Sequence, residues 1–202
     1  NDPEIKTHSF LNKSESRFTE VRLGFGYVDF CGNSRYKLSF NDSRLLLSDT
    51  LAKNCAAWIS QSDRESLATL MGLFYKDIPR EALDPLVDLS FKKQVFPYSA
   101  LNEESLLEST EPIPQEYFAN TFLMDTECSE EDYQEYIMAG ETLGSVLEGS
   151  TFNDYHDLYL LLDCVLLGII LHNFQTLNYN LSGLNPLAFL STSAYSFNAL
   201  LK

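Results

Sequence analysis

In the segment Tyr155-His156-Asp157-Leu158-Tyr159-Leu160-Leu161-Leu162-Asp163-Cys164-Val165-Leu166-Leu167, the acid Asp163 stands among apolar residues. At about 100° per residue, a helix places Asp163 on one face with Tyr159, a turn earlier, and His156, two turns earlier. Leu166, Leu167 and Ile170 flank that face. An ionised carboxylate in apolar surroundings is costly unless it is paired, hydrogen-bonded or bound to a metal. One chemistry open to this pair is a carboxylate that holds a divalent cation and a phenol that orients a water. The other reading is structural: Asp163 faces a polar groove or hydrogen-bonds an adjoining sheet. The pattern alone leaves both open.

The elements that would position these residues follow from periodicity. Residues 1–16 are polar and read as a lead-in. From Arg17, Val21, Leu23, Phe25 and Tyr27 alternate with Arg22, Gly24 and Gly26, and Tyr36, Leu38 and Phe40 resume the alternation after Gly32-Asn33-Ser34. This predicts a β-hairpin ending at Asn41-Asp42-Ser43. Leu47, Leu51, Cys55 and Trp58 predict a helix over 45–59, and a second short helix is expected over 66–74. Pro79, Pro85, Pro97, Pro112 and Pro114 forbid long helices in the middle, which reads as a loop-rich excursion. A short helix is expected over 114–122. Ser129 followed by Glu130, Glu131 and Asp132 marks a helix start, with an expected end near Met138. A helix over 154–177 is the clearest element, and Asn185-Pro186 breaks the chain direction soon after it.

Composition narrows the function. The 202 residues carry 29 acidic against 14 basic side chains, a formal charge of -15, with 45% hydrophobic residues. Such a chain can bury a core, and one domain, or one domain with an appendage, is expected. It is a poor free-standing nucleic-acid binder, because Lys and Arg supply most phosphate affinity. Four cysteines lacking a C-x-x-C pair signal neither zinc nor a disulfide framework. The apolar run 158–171 is shorter than a span of about 20 residues, so a buried helix and no membrane partner are expected. Gly24-Phe25-Gly26 sits inside strand alternation and does not read as a phosphate loop. His156 lies on the Asp163 face, where it could touch DNA or metal, but reads rather as a partly exposed hydrogen-bonding residue; His172 projects from the opposite side, and His8 carries no signal.

Tyr159-x-x-x-Asp163 resembles the third exonuclease motif of family B DNA polymerases. The neighbouring motifs resemble those of the protein-primed branch, found in Polinton or Maverick transposons, viruses and linear plasmids. They are Phe40-Asn41-Asp42-Ser43, the Thr50-Leu51-Ala52-Lys53-Asn54 segment, Lys93-Gln94-Val95-Phe96-Pro97-Tyr98, Cys128-Ser129-Glu130-Glu131-Asp132-Tyr133, and Tyr179-Asn180-Leu181-Ser182-Gly183-Leu184-Asn185-Pro186. Asn54 stands where that branch has an apolar residue. The resemblance runs over residues 17–202.

The resemblance implies an α+β fold of RNase-H-like type, the carboxy-terminal part of a 3′–5′ proofreading exonuclease domain, over 17–178. Residues 179–202 would then lead toward a polymerase palm. It implies Mg²⁺ or Mn²⁺ as cofactor, since two cations about 4 Å apart clamp the attacking and leaving oxygens. Asp163 would bind metal, Tyr159 would orient the attacking water, and Lys93 would assist the geometry or the scissile phosphate. Asp42, Ser43, Thr50 and Leu51 would lie near a single-stranded DNA 3′ end or the terminal (priming) protein. The setting would be intracellular, in a nucleus or at a viral replication site.

The first two exonuclease motifs, Asp-x-Glu and Asn-x-x-(x)-aromatic-Asp, are not found upstream of the hairpin. Asp125-Thr126-Glu127 satisfies Asp-x-Glu but leaves no room for the second motif before Asp163, and reads as a surface acidic turn. The chain therefore reads as a fragment, inactive alone, of a DNA-directed DNA polymerase. Two alternatives stand beside this: a non-catalytic interaction or scaffold remnant of such a polymerase, and an unrelated α+β protein in which Tyr159 and Asp163 are ordinary helix residues.

Overall fold

The alternation from Arg17 onward builds strand β2 (Arg17–Val28), which pairs antiparallel with β3 (Ser34–Asn41), setting Val21 opposite Phe40 and Phe25 opposite Tyr36. A computed structural model of the chain describes residues 5–14, 17–28, 34–118 and 128–202. The turn residues Gly32-Asn33 and the acidic Asp125-Thr126-Glu127 lie outside these. The opening stretch is corrected from lead-in to strand: β1 (Ile5–Ser14) pairs antiparallel along β2, giving sheet order β1-β2-β3. Polar strands at a sheet edge lack a continuous apolar alternation, although Ile5, Thr7 and Phe10 are strand-forming types. The remaining elements are helical, so helices dominate the chain.

Contacts divide the chain into two compact units, Asn1–Asp49 with Gln175–Lys202, and Thr50–Phe174. In the first, a 3-10 turn over Ser43–Leu45 follows the sheet, and Thr192 Oγ1 donates to Leu46 O at 2.9 Å. Helix α7 (Thr192–Leu201) begins at Ser191, whose hydroxyl accepts from Ala194 N. Gly183 stops the preceding helix at φ +69°, a conformation in which an L side chain is strained.

The second unit contains α1 (Leu51–Trp58), α2 (Arg64–Phe74), α3 (Asp84–Leu89), α4 (Glu104–Leu107), α5 (Glu130–Leu147) and most of α6 (Phe152–Ser182). The expected helix over 45–59 begins only at Leu51, because Thr50 caps it and the Ser48-Asp49-Thr50 run favours caps over continuation. The proline-rich middle has no long helix, yet it folds into 3-10 turns and short helices. Pro85 sits in the first turn of α3, where its missing N–H costs nothing. The segment expected to be helical over 114–122 shows a 3-10 turn over Gln115–Phe118.

Ser129 caps α5 as expected, accepting from Asp132 N at 3.1 Å. The helix continues past Met138 to Leu147, carried by its buried face of Tyr136, Ala139 and Leu143 despite two glycines. It ends on left-handed Glu148 (φ 57°), with Gly149 N donating to Gly144 O. Leu67, Met71, Leu83, Leu86, Ile113, Leu143, Leu158, Leu162, Leu166 and Ile170 are fully buried and form the centre of the core. Helix α6 is 31 residues long, with an 18-residue window of mean hydropathy 1.7, enough by length and composition to cross a membrane. Its buried residues lie between Phe152 and Phe174, and Leu160 is exposed. It is thus covered on one side, where burial all round was expected.

Candidate functional site: a lysine, a carboxylate and two phenols

A short loop between α3 and the 3-10 turn at Tyr98–Asn102 carries Lys93, and its neighbours fix it in place. Gln94, which is buried, donates from Nε2 to Leu89 O at 2.8 Å. Val95 O accepts from Tyr155 Oη at 2.8 Å, and Lys92 Nζ pairs with Glu135 at 2.6 Å. Phe96 is the packing centre. Its ring stacks on Tyr159 at 4.6 Å and on Phe152 at 5.6 Å, and meets Tyr98 edge-on at 5.1 Å.

These anchors set the Lys93 ammonium against α6. Nζ donates to both carboxylate oxygens of Asp163 at 2.8 Å and to Tyr159 Oη at 2.5 Å, so its three N–H groups have three acceptors. It also lies 4.4 Å from the centroid of the Tyr159 ring. Tyr159 Oη shares a second hydrogen bond with Tyr98 Oη at 2.6 Å. The cluster therefore runs from Asp163 through Lys93 and Tyr159 to Tyr98, whose residue is 40% exposed.

Electrostatics hold the phenol neutral. Burial pushes the Tyr159 hydroxyl well above the usual phenol range, and the bond to Tyr98 and the Asp163 carboxylate push the same way. Burial likewise raises the Tyr155 phenol. Cys55 on α1 borders the pair: burial raises its thiol, Asp163 adds to the rise, and Lys93 opposes it. A thiol so disposed is a poor nucleophile. Cys55, Cys128 and Cys164 are free, buried, half-buried and exposed respectively.

Of the residues singled out in the sequence, the structure brings Lys93, Tyr159 and Asp163 together. Thr50 and Asp42 serve as caps: Thr50 Oγ1 accepts from Lys53 N at 3.4 Å, and Asp42 Oδ1 accepts from Arg44 N at 3.0 Å. Leu51 opens α1 half-buried, and Ser43 opens the 3-10 turn with its carbonyl accepting from Leu46 and Leu47. Asp42 and Ser43 belong to the first unit. His156 is half-buried, 3.4 Å from Asp157 and tilted against the Phe96 ring at 5.6 Å. Sequence reasoning did not give Tyr98 and Phe96 a role. The signal lay in the Phe96-Pro97-Tyr98 triplet, three residues after the lysine.

A two-metal centre needs several carboxylates around one point. Among the described residues no group of three or more His, Cys, Asp or Glu side chains gathers, and both oxygens of Asp163 already accept from Lys93. The described residues do not by themselves fit such a centre. The cation that balances Asp163 here is an ammonium. Comparison with protein-family models, with curated proteins and with solved structures finds no match.

Proposed function

We propose that the chain is part of a family B DNA-directed DNA polymerase of the protein-primed type. It contributes the Tyr159-x-x-x-Asp163 corner of an RNase-H-like 3′–5′ proofreading exonuclease domain. The observation that carries this reading is the meeting of Lys93 with Tyr159 and Asp163 across 66 and 70 residues of sequence. Motif resemblance selects all three side chains. In this reading Tyr159, a neutral phenol, orients water, and Lys93 fixes the carboxylate or meets the scissile phosphate. Further carboxylates, from outside the described residues or from a longer form of the protein, complete the Mg²⁺ or Mn²⁺ site. The motif resemblance also assigns contact with a single-stranded 3′ end or a terminal protein to Asp42 and Ser43 in the first unit and, separately, to Thr50 and Leu51 in the second. The setting is a nucleus or a viral replication site.

A second reading, a non-catalytic scaffold derived from such a polymerase, is favoured by one specific observation: Asp163 is already neutralised by Lys93. One experiment separates them. A longer form of the protein that carries the first two exonuclease motifs is assayed for degradation of 3′-labelled single-stranded DNA with Mg²⁺ or Mn²⁺. The exonuclease reading expects Asp163→Ala to lose most activity and Tyr159→Phe to lose less, by about 10- to 100-fold as for groups that orient a metal site. Activity untouched by Asp163→Ala refutes it, and no activity in the intact protein favours the scaffold. The isolated chain is expected to be inactive, and turnover by pure material would count against the reading.

A further inference from the structure

The geometry points to a role for Lys93 that needs no polymerase: we infer that its ammonium is the resident cation of Asp163, and that a divalent ion can bind this carboxylate only when Lys93 leaves. Both carboxylate oxygens sit 2.8 Å from the one nitrogen, a symmetric fork rather than a grazing surface contact. The side chains are 26% and 29% exposed, so the pair is screened less than a surface pair. One ammonium and one carboxylate sum to zero charge. A divalent ion at about 2.0–2.6 Å from either oxygen would stand within about 5 Å of Nζ, adding two positive charges beside the one already there. Among the described residues no cluster of further acids offsets that excess.

Nor is Lys93 free to swing aside without loss. Its third N–H is held by Tyr159 Oη, the flanking Gln94 and Val95 are tied to the backbone and to α6, and Phe96 is locked in the aromatic cluster. The lysine is thus held on the acid from both ends, by its loop and by its head group. With the described residues alone, ammonium and divalent ion exclude each other at Asp163, and opening the site means breaking the Lys93–Tyr159 bond as well. In a longer protein that binds metal here, additional carboxylates would have to outweigh this latch.

The test uses the chain as it is, with Mn²⁺ alone as the probe, reading Mn²⁺ binding by the loss of its free-ion paramagnetic resonance signal and thermal stability against an EDTA control. Wild type is expected to show no Asp163-dependent binding: its Mn²⁺ titration matches that of Asp163→Asn, and the ion shifts the melting temperature of each protein, measured against its own EDTA control, by the same amount. Lys93→Met, which keeps the apolar stem and removes the charge, is expected to bind Mn²⁺ at least about tenfold more tightly than wild type, as removal of a neighbouring positive charge requires. That gain should vanish in Lys93→Met combined with Asp163→Asn. Lys93→Gln serves should Lys93→Met fail to fold. Mn²⁺ binding by wild type that falls on Asp163→Asn overturns the inference, as does a Lys93 variant that folds and binds no more tightly than wild type. Absence of nuclease activity in a longer protein would sink the exonuclease reading and leave this inference standing.

Discussion

Replacing Tyr159 by Phe removes a single oxygen from the cluster and leaves the ring stacked on Phe96. The lost bonds are one from the Lys93 ammonium at 2.5 Å and one shared with Tyr98 at 2.6 Å. A bond to a charged group contributes about 1.5–3 kcal/mol and a neutral one about 0.5–1.5 kcal/mol. Both partners have recourse. Lys93 keeps its fork on Asp163, and Tyr98, 40% exposed, can turn to water. The expected loss is therefore below the sum, about 1–3 kcal/mol, and that of Tyr98→Phe is about 0.5–1 kcal/mol. Because the two hydroxyls touch, their losses should not add: a double-mutant cycle should return a coupling of about 0.5–1 kcal/mol. The assay is urea unfolding followed by fluorescence of Trp58, the one tryptophan, which packs edge-on against Phe174 at 5.7 Å within the same unit. Tyr159→Phe indistinguishable from wild type, or a cycle energy of zero, would refute the bridging geometry.

Two further outcomes rest on the same cluster. Phe96, 6% exposed and central to the aromatic contacts, should cost about 3–5 kcal/mol as Phe96→Ala and distinctly less as Phe96→Leu; calorimetry showing a loss under about 1 kcal/mol for the alanine would place the core elsewhere. At alkaline pH the buried phenols should resist ionisation. Burial pushes Tyr75 up to about 12, with Asp157 and Asp154 adding to it, and also raises Tyr136, Tyr155 and Tyr159. The fold favours the neutral form, so its stabilising effect is full below the ordinary phenol value of 10.0 and is lost as pH rises through Tyr75's folded value of about 12. Tyrosinate absorbance should show these groups held back until the chain unfolds, and all tyrosines titrating together at the ordinary value in folded protein would contradict the burial.

Elements whose residues carry a strong period could be read directly. Strands β2 and β3 follow from alternation, and α2 and α6 from apolar spacing. The start of α5 follows from Ser129 and three acids, since capping is local chemistry. Boundaries decided by distant partners could not. Glycines 140 and 144 argue for an early end to α5, but burial of Tyr136, Ala139 and Leu143 outweighs their propensity cost. The prolines do exclude long helices from the middle. They do not exclude 3-10 turns, which need few bonds and tolerate a proline at the start. β1 escapes because a polar edge strand is specified mainly by its neighbour.

The candidate site divides along the same line. Tyr159 and Asp163 lie one turn apart on a helix, so their shared face is a matter of period alone. Periodicity also requires that a carboxylate there be balanced, without naming the partner. Lys93 is 70 residues away, and no local rule brings it to α6. Motif resemblance names that lysine, whereas the reason it arrives is tertiary: Gln94 and Val95 fasten its loop, and Phe96 packs against both Tyr98 and Tyr159. Tyr98 shows the limit most clearly. Its residue type and its place after Pro97 are visible in the sequence, but its pairing with Tyr159 depends on how that proline turns the chain. A carboxylate that must be neutralised is thus legible from burial, while the identity of its counter-charge is set by packing. In this arrangement the group that meets Asp163 is the Lys93 ammonium, which no local rule of sequence could name.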